Sequence, residues 1–343
     1  MLTEILLHLT ALWSQLLSSV DNLFHFYWTR VRGYPLFFAR GIGSTKGIDR
    51  GFDEIAAIAT ATEVKVPIAC GGSYPRDFKF QSPIAHLLPS EVATAHVRVI
   101  GDLESARAVV VHLAGTGDQG YSLRTGIALP LFKKHGIASV LLMSPFYALR
   151  KANGQKGAAI LTVEDIVLQS AAICSEAANL VRWLRRDYPG KLVGITGISY
   201  GGSMTVYSSL LCGGDLAVST LVPCERAPFL DEKAVLRDVL HPTVLEERHL
   251  LETILERTAI DDVVAQYEKN RDSKKGTMTY TQISARNDQV VPSRYSNIVA
   301  KTMTRFSYHS KIFEISGGHV SAIILHQSKY VEQIAASFDT LEH

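Results

Sequence analysis

Ser199 stands in Gly197-Ile198-Ser199-Tyr200-Gly201, after the apolar run Leu192-Val193-Gly194-Ile195-Thr196 and before Gly202-Ser203-Met204-Thr205-Val206-Tyr207. The first flank reads as a buried strand and the second as the start of a helix. A serine in a sharp turn between them is lifted clear of the sheet at a helix N-terminus, where developing negative charge is favoured. Only small neighbours at 197 and 201 leave room for strand and helix to approach. A serine hydroxyl is a feeble nucleophile at neutral pH and needs an adjacent base. His319, after Ser316-Gly317-Gly318, and Asp288, in Ala285-Arg286-Asn287-Asp288, each follow a strand-like run, as Ser199 does. Imidazole, with an unperturbed pKa of about 6.5, suits the task of base, and a carboxylate on its far nitrogen fixes the tautomer and stabilises the imidazolium. The chemistry is acyl transfer: Ser199 attacks an ester-like carbonyl, His319 shuttles protons and water releases the acyl group. It calls for no metal and no organic cofactor.

Other residues fit these roles less well. Asp261, Asp262 and Asp272 lie in charged helical sequence, His112 lies inside a strand, and His309 and His326 have less suitable surroundings. The loop Ala114-Gly115-Thr116-Gly117-Asp118-Gln119-Gly120 lacks the Gly-Lys-Ser/Thr ending of a phosphate loop and a full G-x-G-x-x-G. In a serine hydrolase such a loop aims a backbone N–H at the substrate oxygen, and glycine permits close approach. Thr116 is the expected amide donor there, and Tyr200, the residue after the nucleophile, the second. Asp118 is expected to bond its own loop backbone. Arg150 and Lys151, in a loop leaving the carboxyl end of a strand, are expected either to meet an anionic substrate group or to be solvated.

The elements that must position these residues follow from periodicity. Strands are predicted at 108–113 and 192–196, both buried, and at 138–143, 216–222, 278–284 and 311–315. Between Val64 and Val99, Phe78-Lys79-Phe80 and His96-Val97-Arg98-Val99 alternate apolar and charged residues, as half-exposed antiparallel strands do. Helices are predicted at 52–62, 124–134 and 163–187, after Ser199, and as one closing helix of roughly two dozen residues. Residues 225–275 are charged and helical and read as a cap inserted between strands, a lid over the site. The fold class is α/β, with a mostly parallel central sheet, helices on both faces and a helical cap insertion. The chain order nucleophile, acid, base belongs to α/β hydrolases.

A length of 343 residues suits one α/β domain with insertions, and a formal charge of +2 gives no reason to expect a nucleic-acid partner. Cys70, Cys174, Cys212 and Cys224 have neither metal-ligand nor redox spacing and read as buried small hydrophobes in a reducing compartment. Residues 1–28 form an expected N-terminal amphipathic helix ahead of a hydrolase domain over 29–343. Leu16, Val20 and Leu23 belong to its apolar stripe, and Ser18, Asp21 and Asn22 to its polar face. It has no basic region before the apolar run, and Glu4, His8 and Gln15 make it a poor membrane span. Packing on the domain or a partner, and lying on a membrane surface, both remain open for it.

The phrases Tyr27-Trp28-Thr29-Arg30, Phe37-Phe38-Ala39-Arg40-Gly41, Phe80-Gln81-Ser82-Pro83, His112-Leu113-Ala114-Gly115-Thr116-Gly117-Asp118 and Pro145-Phe146-Tyr147 resemble the alpha/beta-hydrolase domain-containing protein 18 family, as do Gly197-Ile198-Ser199-Tyr200-Gly201-Gly202 and Gly317-Gly318-His319. The resemblance spans roughly residues 27 to 335 and is weakest in the cap. It implies an α/β-hydrolase fold and a lipid-directed serine hydrolase, such as a mitochondrial phospholipid acyl hydrolase acting on cardiolipin. It also implies a mitochondrial setting, while the cysteines point to an intracellular one and the N-terminal helix, on one of its two readings, to a membrane surface. Two alternatives are an acyltransferase with the same triad and an inactive hydrolase-fold interaction module. The expected partners are a lipid or ester substrate and a membrane surface.

Overall fold

The computed structural model describes residue 16 and residues 19–23, 35–70, 76–269 and 276–342. Its sheet, nine-stranded among the described residues, begins at an antiparallel edge formed by β1 (Ile68–Ala69), β2 (Arg76–Gln81) and β3 (Thr94–Ile100). Along β3 buried and half-buried positions alternate, the pattern of a strand with one covered face. The interior strands are β4 (Ala108–Leu113), β5 (Ile137–Leu142), β6 (Leu192–Ile198), β7 (Leu216–Leu221) and β8 (Met278–Ala285), followed by β9 (His309–Ile315) at the far edge. The order is β1-β2-β3-β5-β4-β6-β7-β8-β9. β3 meets β5 antiparallel, and from β5 onward all pairs are parallel. β4, β5, β7 and β8 are buried at every position, as strands covered on both faces must be.

Helices cover both faces. α1 (Thr45–Ala57) packs on α3 (Val163–Asp187), while α2 (Ser122–His135) lies on the opposite side. α3 and α4 (Tyr200–Cys212) bury Ala177, Val181, Val206 and Leu210 against Val109, Val111 and Ile195. On the other face Ile127 and Leu131 of α2 join Val110 and Ala217. α1 starts earlier than the helix predicted at 52–62, because the Ser44 side chain caps it by accepting from Gly47 N–H at 3.1 Å. α3 keeps its predicted bounds, with a capping box in which Thr162 and Asp165 bond each other's backbone.

Residues 225–269 hold a 3₁₀ turn (Val235–Val239), α5 (Pro242–Leu245), α6 (Arg248–Arg257) and α7 (Ile260–Lys269). Phe37 ties this cap to the front of the chain, donating to Val239 O at 2.8 Å and accepting from His241 N–H at 2.9 Å. The Tyr207 hydroxyl of α4 faces the carbonyls of Glu225, at the start of this stretch, and of Thr258, between α6 and α7. α8 (Ser293–Phe306) precedes β9. The predicted single closing helix is two, α9 (His319–Leu325) and α10 (Gln327–Glu342). The break at His326 leaves α9 at the sheet rim and lets Tyr330, Ile334 and Phe338 of α10 pack on the sheet. Of the cysteines, Cys174 and Cys224 are buried, Cys212 is half-buried and Cys70, just past β1, is exposed; none of the four is in a disulfide. The expectation of burial therefore fails for Cys70.

Candidate active site

β6 runs directly into Ser199, whose backbone takes φ 57° and ψ −124°. That region disfavours any residue with a Cβ, so the turn is strained. Its neighbours hold it there. Ser199 N–H donates to Leu221 O at 2.9 Å, and the Tyr330 hydroxyl donates to Gly197 O at 2.8 Å. A Cβ at Gly197 would lie 2.2 Å from Gly201 O, and one at Gly201 would lie 2.4 Å from Leu113 O. Both glycines are therefore dictated by the approach of α4 to β6 and β4.

The loops after β8 and β9 deliver the other two side chains. Ser199 Oγ lies 2.8 Å from His319 Nε2, and His319 Nδ1 lies 2.7 Å from Asp288 Oδ2. The second Asp288 oxygen accepts from Val290 N–H at 2.9 Å and Val291 N–H at 2.7 Å, which fixes the carboxylate in its loop. With Nδ1–H donating to a carboxylate, Nε2 is left to accept the serine proton. Burial pushes the His319 imidazole down, but the Asp288 charge, the Asp288 hydrogen bond and the Asp21 charge outweigh it and raise its pKa above 6.5. His112 behaves in the opposite way. Buried in β4 and facing Ser139 Oγ at 3.0 Å, it is pushed down to about 3 by burial and by the Arg124 charge, and is neutral.

The loop after β4 closes over the elbow, where a Cβ at Gly115 would lie 3.0 Å from Ile198 O. Thr116 and Tyr200 line the same cavity as Ser199. Tyr200 opens α4, and N–H groups in a helix's first turn have no intrahelical acceptor. Asp118 accepts from Gly120 N–H at 3.3 Å and from Arg124 Nε at 2.7 Å. Arg124 also donates to His112 O, Leu142 O and Gly120 O, so one buried guanidinium ties the loop to β4 and β5. Nothing in the sequence analysis assigned Arg124 a role. The available signal was an arginine six residues after Asp118, in a helix that otherwise buries aliphatic residues.

The cavity holds about 370 Å³ and has Ser199 in its wall. Phe37, Phe52, Val167, Phe229, Leu236 and Leu255 make it largely apolar, with the cap and α1 as its outer walls. Neither Arg150 nor Lys151 lines it. Arg150 is fully buried, with Glu176 at 2.6 and 2.7 Å and with Val92 O and Met143 O as acceptors. That structural role replaces both roles entertained for Arg150. The half-buried Lys151 sits beside it, also away from the cavity.

The sequence puts Asp21 on the polar face of the N-terminal helix, with no partner assigned. Instead it is buried, accepting at Oδ2 from His319 N–H at 2.7 Å and at Oδ1 from Val320 N–H at 2.8 Å. Leu16 and Leu23, of the apolar stripe, are exposed. The reason is that three backbone N–H groups at the rim, Gln289 being the third at 3.3 Å, offer the carboxylate more than the domain surface offers the leucines.

A mostly parallel sheet with this strand order, a serine elbow after β6, an acid after β8 and a histidine after β9 define the α/β-hydrolase fold. The model of the family described as alpha/beta hydrolase domain containing 18 matches residues 37–229, more than half of the 343 residues, and the chain belongs to that family. Among solved structures, the chain is similar to an acylaminoacyl peptidase from Pyrococcus horikoshii, with a TM-score of 0.49 and 16% identity, covering 83% of this chain and 42% of that one. It thus spans about two-fifths of that peptidase's length. It is also similar to carboxyl esterase 2 from the mycorrhizal fungus Tuber melanosporum, with a TM-score of 0.47 and 16% identity over 83% of this chain and 89% of that one. A cold-adapted esterase from an Arctic intertidal metagenomic library gives a TM-score of 0.48 and 11% identity over 80% and 99%.

Proposed function

We propose that the chain is a serine hydrolase that cleaves an acyl ester, with a lipid or phospholipid as the substrate class. The observation that carries this is the unbroken relay from Asp288 through His319 to Ser199 Oγ, opening into a mostly apolar cavity. His319 takes the serine proton as Ser199 attacks the carbonyl carbon, and the imidazolium is stabilised by Asp288. The N–H groups of Thr116 and Tyr200 stabilise the oxyanion. The protonated His319 then gives its proton to the leaving alcohol. A water molecule, deprotonated by the same imidazole, releases the carboxylic acid and restores Ser199.

The apolar walls suit an acyl chain. Arg226 and Arg257 line the same cavity, paired with Glu225 at 3.2 Å and Asp49 at 2.7 Å, and an anionic head group would meet them by exchanging those partners. Contact with a membrane surface is part of the reading. Leu16 and Leu23, and Ile324 and Leu325 of α9, are exposed on two elements joined through Asp21. No helix among the described residues is long and apolar enough to cross a membrane.

The test is a fluorophosphonate probe together with p-nitrophenyl esters. The wild-type chain is expected to be labelled and to turn over ester, and Ser199→Ala to lose both at unchanged thermal stability. A wild-type chain that stays unlabelled while control hydrolases react would discard the reading in favour of an inactive module. Faster acyl release on adding alcohols, with ester as product, would mark a transferase.

A further inference from the structure

α9 begins at His319 and its N-cap is Gly318, which has no side chain to cap it. The first N–H groups of a helix need acceptors from outside the helix. Here they find one 298 residues away in sequence: Asp21 takes the N–H of His319 and of Val320, one on each carboxylate oxygen. Its Oδ2 also accepts from Gln289 N–H, the residue after Asp288. One carboxylate therefore grips the two loops that carry the base and the acid. The fit is close, since a Cβ at Gly318 would lie 2.3 Å from Asp21 Oδ2. The glycine before His319 is explained by this approach. Its own φ of −103° is open to any residue, so backbone freedom does not require it.

We propose that Asp21 is a positioning residue for the active site, a detached N-cap that sets the His319 imidazole between Asp288 and Ser199. This rests on the hydrolase reading above. Asp21 never touches the reacting atoms. It acts through the backbone of residues 289, 319 and 320, and through its charge on the imidazole. Burial, and more weakly the Asp288 charge, raise the carboxyl pKa of Asp21, against the three N–H groups that favour its ionised form. The charged or titratable groups facing the imidazole among the described residues are Asp288 from the loop after β8, Asp21 from the N-terminal segment and Ser199 from the elbow.

The experiment uses the full chain and a soluble p-nitrophenyl ester. Asp21→Ala is expected to lower kcat by on the order of 10- to 100-fold, the scale of a misplacement of about 1 Å. KM should stay within about twofold, because Asp21 does not line the cavity. The acid limb of the pH profile should move to lower pH, since a negative charge near the imidazole is lost. Gly318→Ala should reproduce the loss by displacing the carboxylate, yet add little in an Asp21→Ala background. Unchanged kcat and an unmoved acid limb in folded Asp21→Ala would overturn the proposal, even if its melting temperature fell. Should Asp21→Ala fail to fold, Asp21→Asn and Gly318→Ala carry the same test, and wild-type kcat in both would overturn it. If the wild type neither labels nor turns over ester, the hydrolase reading falls separately. Ring-nitrogen NMR shifts of His319, assigned with His319→Gln, then decide the positioning: a shift in Asp21→Ala supports it, and identical spectra refute it.

Discussion

His319 must be neutral at Nε2 to accept the Ser199 proton, and the pKa of its imidazole lies above 6.5 because Asp288 and Asp21 together outweigh burial. The acid limb of kcat/KM is therefore expected above pH 6.5, and activity should fall as pH drops through the raised value. The stability sign is opposite. The folded chain holds the imidazolium more tightly than the unfolded chain does, so this site adds stability that is complete below 6.5 and lost as pH rises through the folded value. Asp288→Asn removes the charge, and with its remaining oxygen held by Val290 and Val291 N–H it turns an NH2 donor toward Nδ1 in place of the acceptor. It should move the acid limb down and cut kcat by on the order of 10⁴-fold. A pH–rate profile of wild type and variant checks both, and an acid limb below 6.5 in the wild type would mean that burial outweighs the two carboxylates at His319. The three side chains were legible because each chemical role restricts residue type and each follows a strand. Asp21 was not legible: nothing local links it to position 319, and only the side-chain-free cap position at Gly318 hints that an acceptor comes from elsewhere.

At the scale of elements, the buried pair Arg150 and Glu176 joins the turn after β5 to the middle of α3, and its guanidinium also takes Val92 O before β3. Removing one member leaves an uncompensated buried charge, which costs about 3–5 kcal/mol. Arg150→Met should thus lower the unfolding midpoint sharply while leaving KM of the folded fraction unchanged. Adding Glu176→Gln should recover part of the loss. Thermal unfolding followed by ester kinetics checks this, and a raised KM at unchanged stability would return Arg150 to the substrate. The strands were legible here because runs such as Val109-Val110-Val111 admit one environment, buried on both faces. Arg150 was not, because a charge in a loop has a wet reading by default. Its burial depends on carbonyls at 92 and 143 and a carboxylate at 176, which meet only in the folded chain. The same holds for Arg124. The break at His326 was missed because the helical pattern continues through it, and the bend answers to the sheet rim.

At the scale of the molecule, the cavity is walled by three parts distant in sequence: Phe37 and Phe52 from the front of the chain, Met204 behind Ser199, and Phe229, Leu236 and Leu255 from the cap. The cap was recognisable as an insertion by its charged, helical texture, but which of its residues turn inward depends on where α1 and α4 lie. An acyl chain entering such a space gains about 0.8 kcal/mol for each methylene buried, or roughly fourfold in affinity. Across p-nitrophenyl esters of increasing length, kcat/KM should therefore climb by up to about fourfold per methylene and level off once the cavity is filled. Ala56, half-buried on α1, lines the cavity and is not one of the residues hydrogen-bonded to the triad. Ala56→Phe should move the plateau to shorter chains and leave the shortest ester unaffected, since the relay of Ser199, His319 and Asp288 is untouched. Chain-length profiles of the two proteins separate this from a general loss of activity. A flat wild-type profile would mean that the acyl group does not occupy this cavity, and that the cap shields the site from water without selecting what enters it.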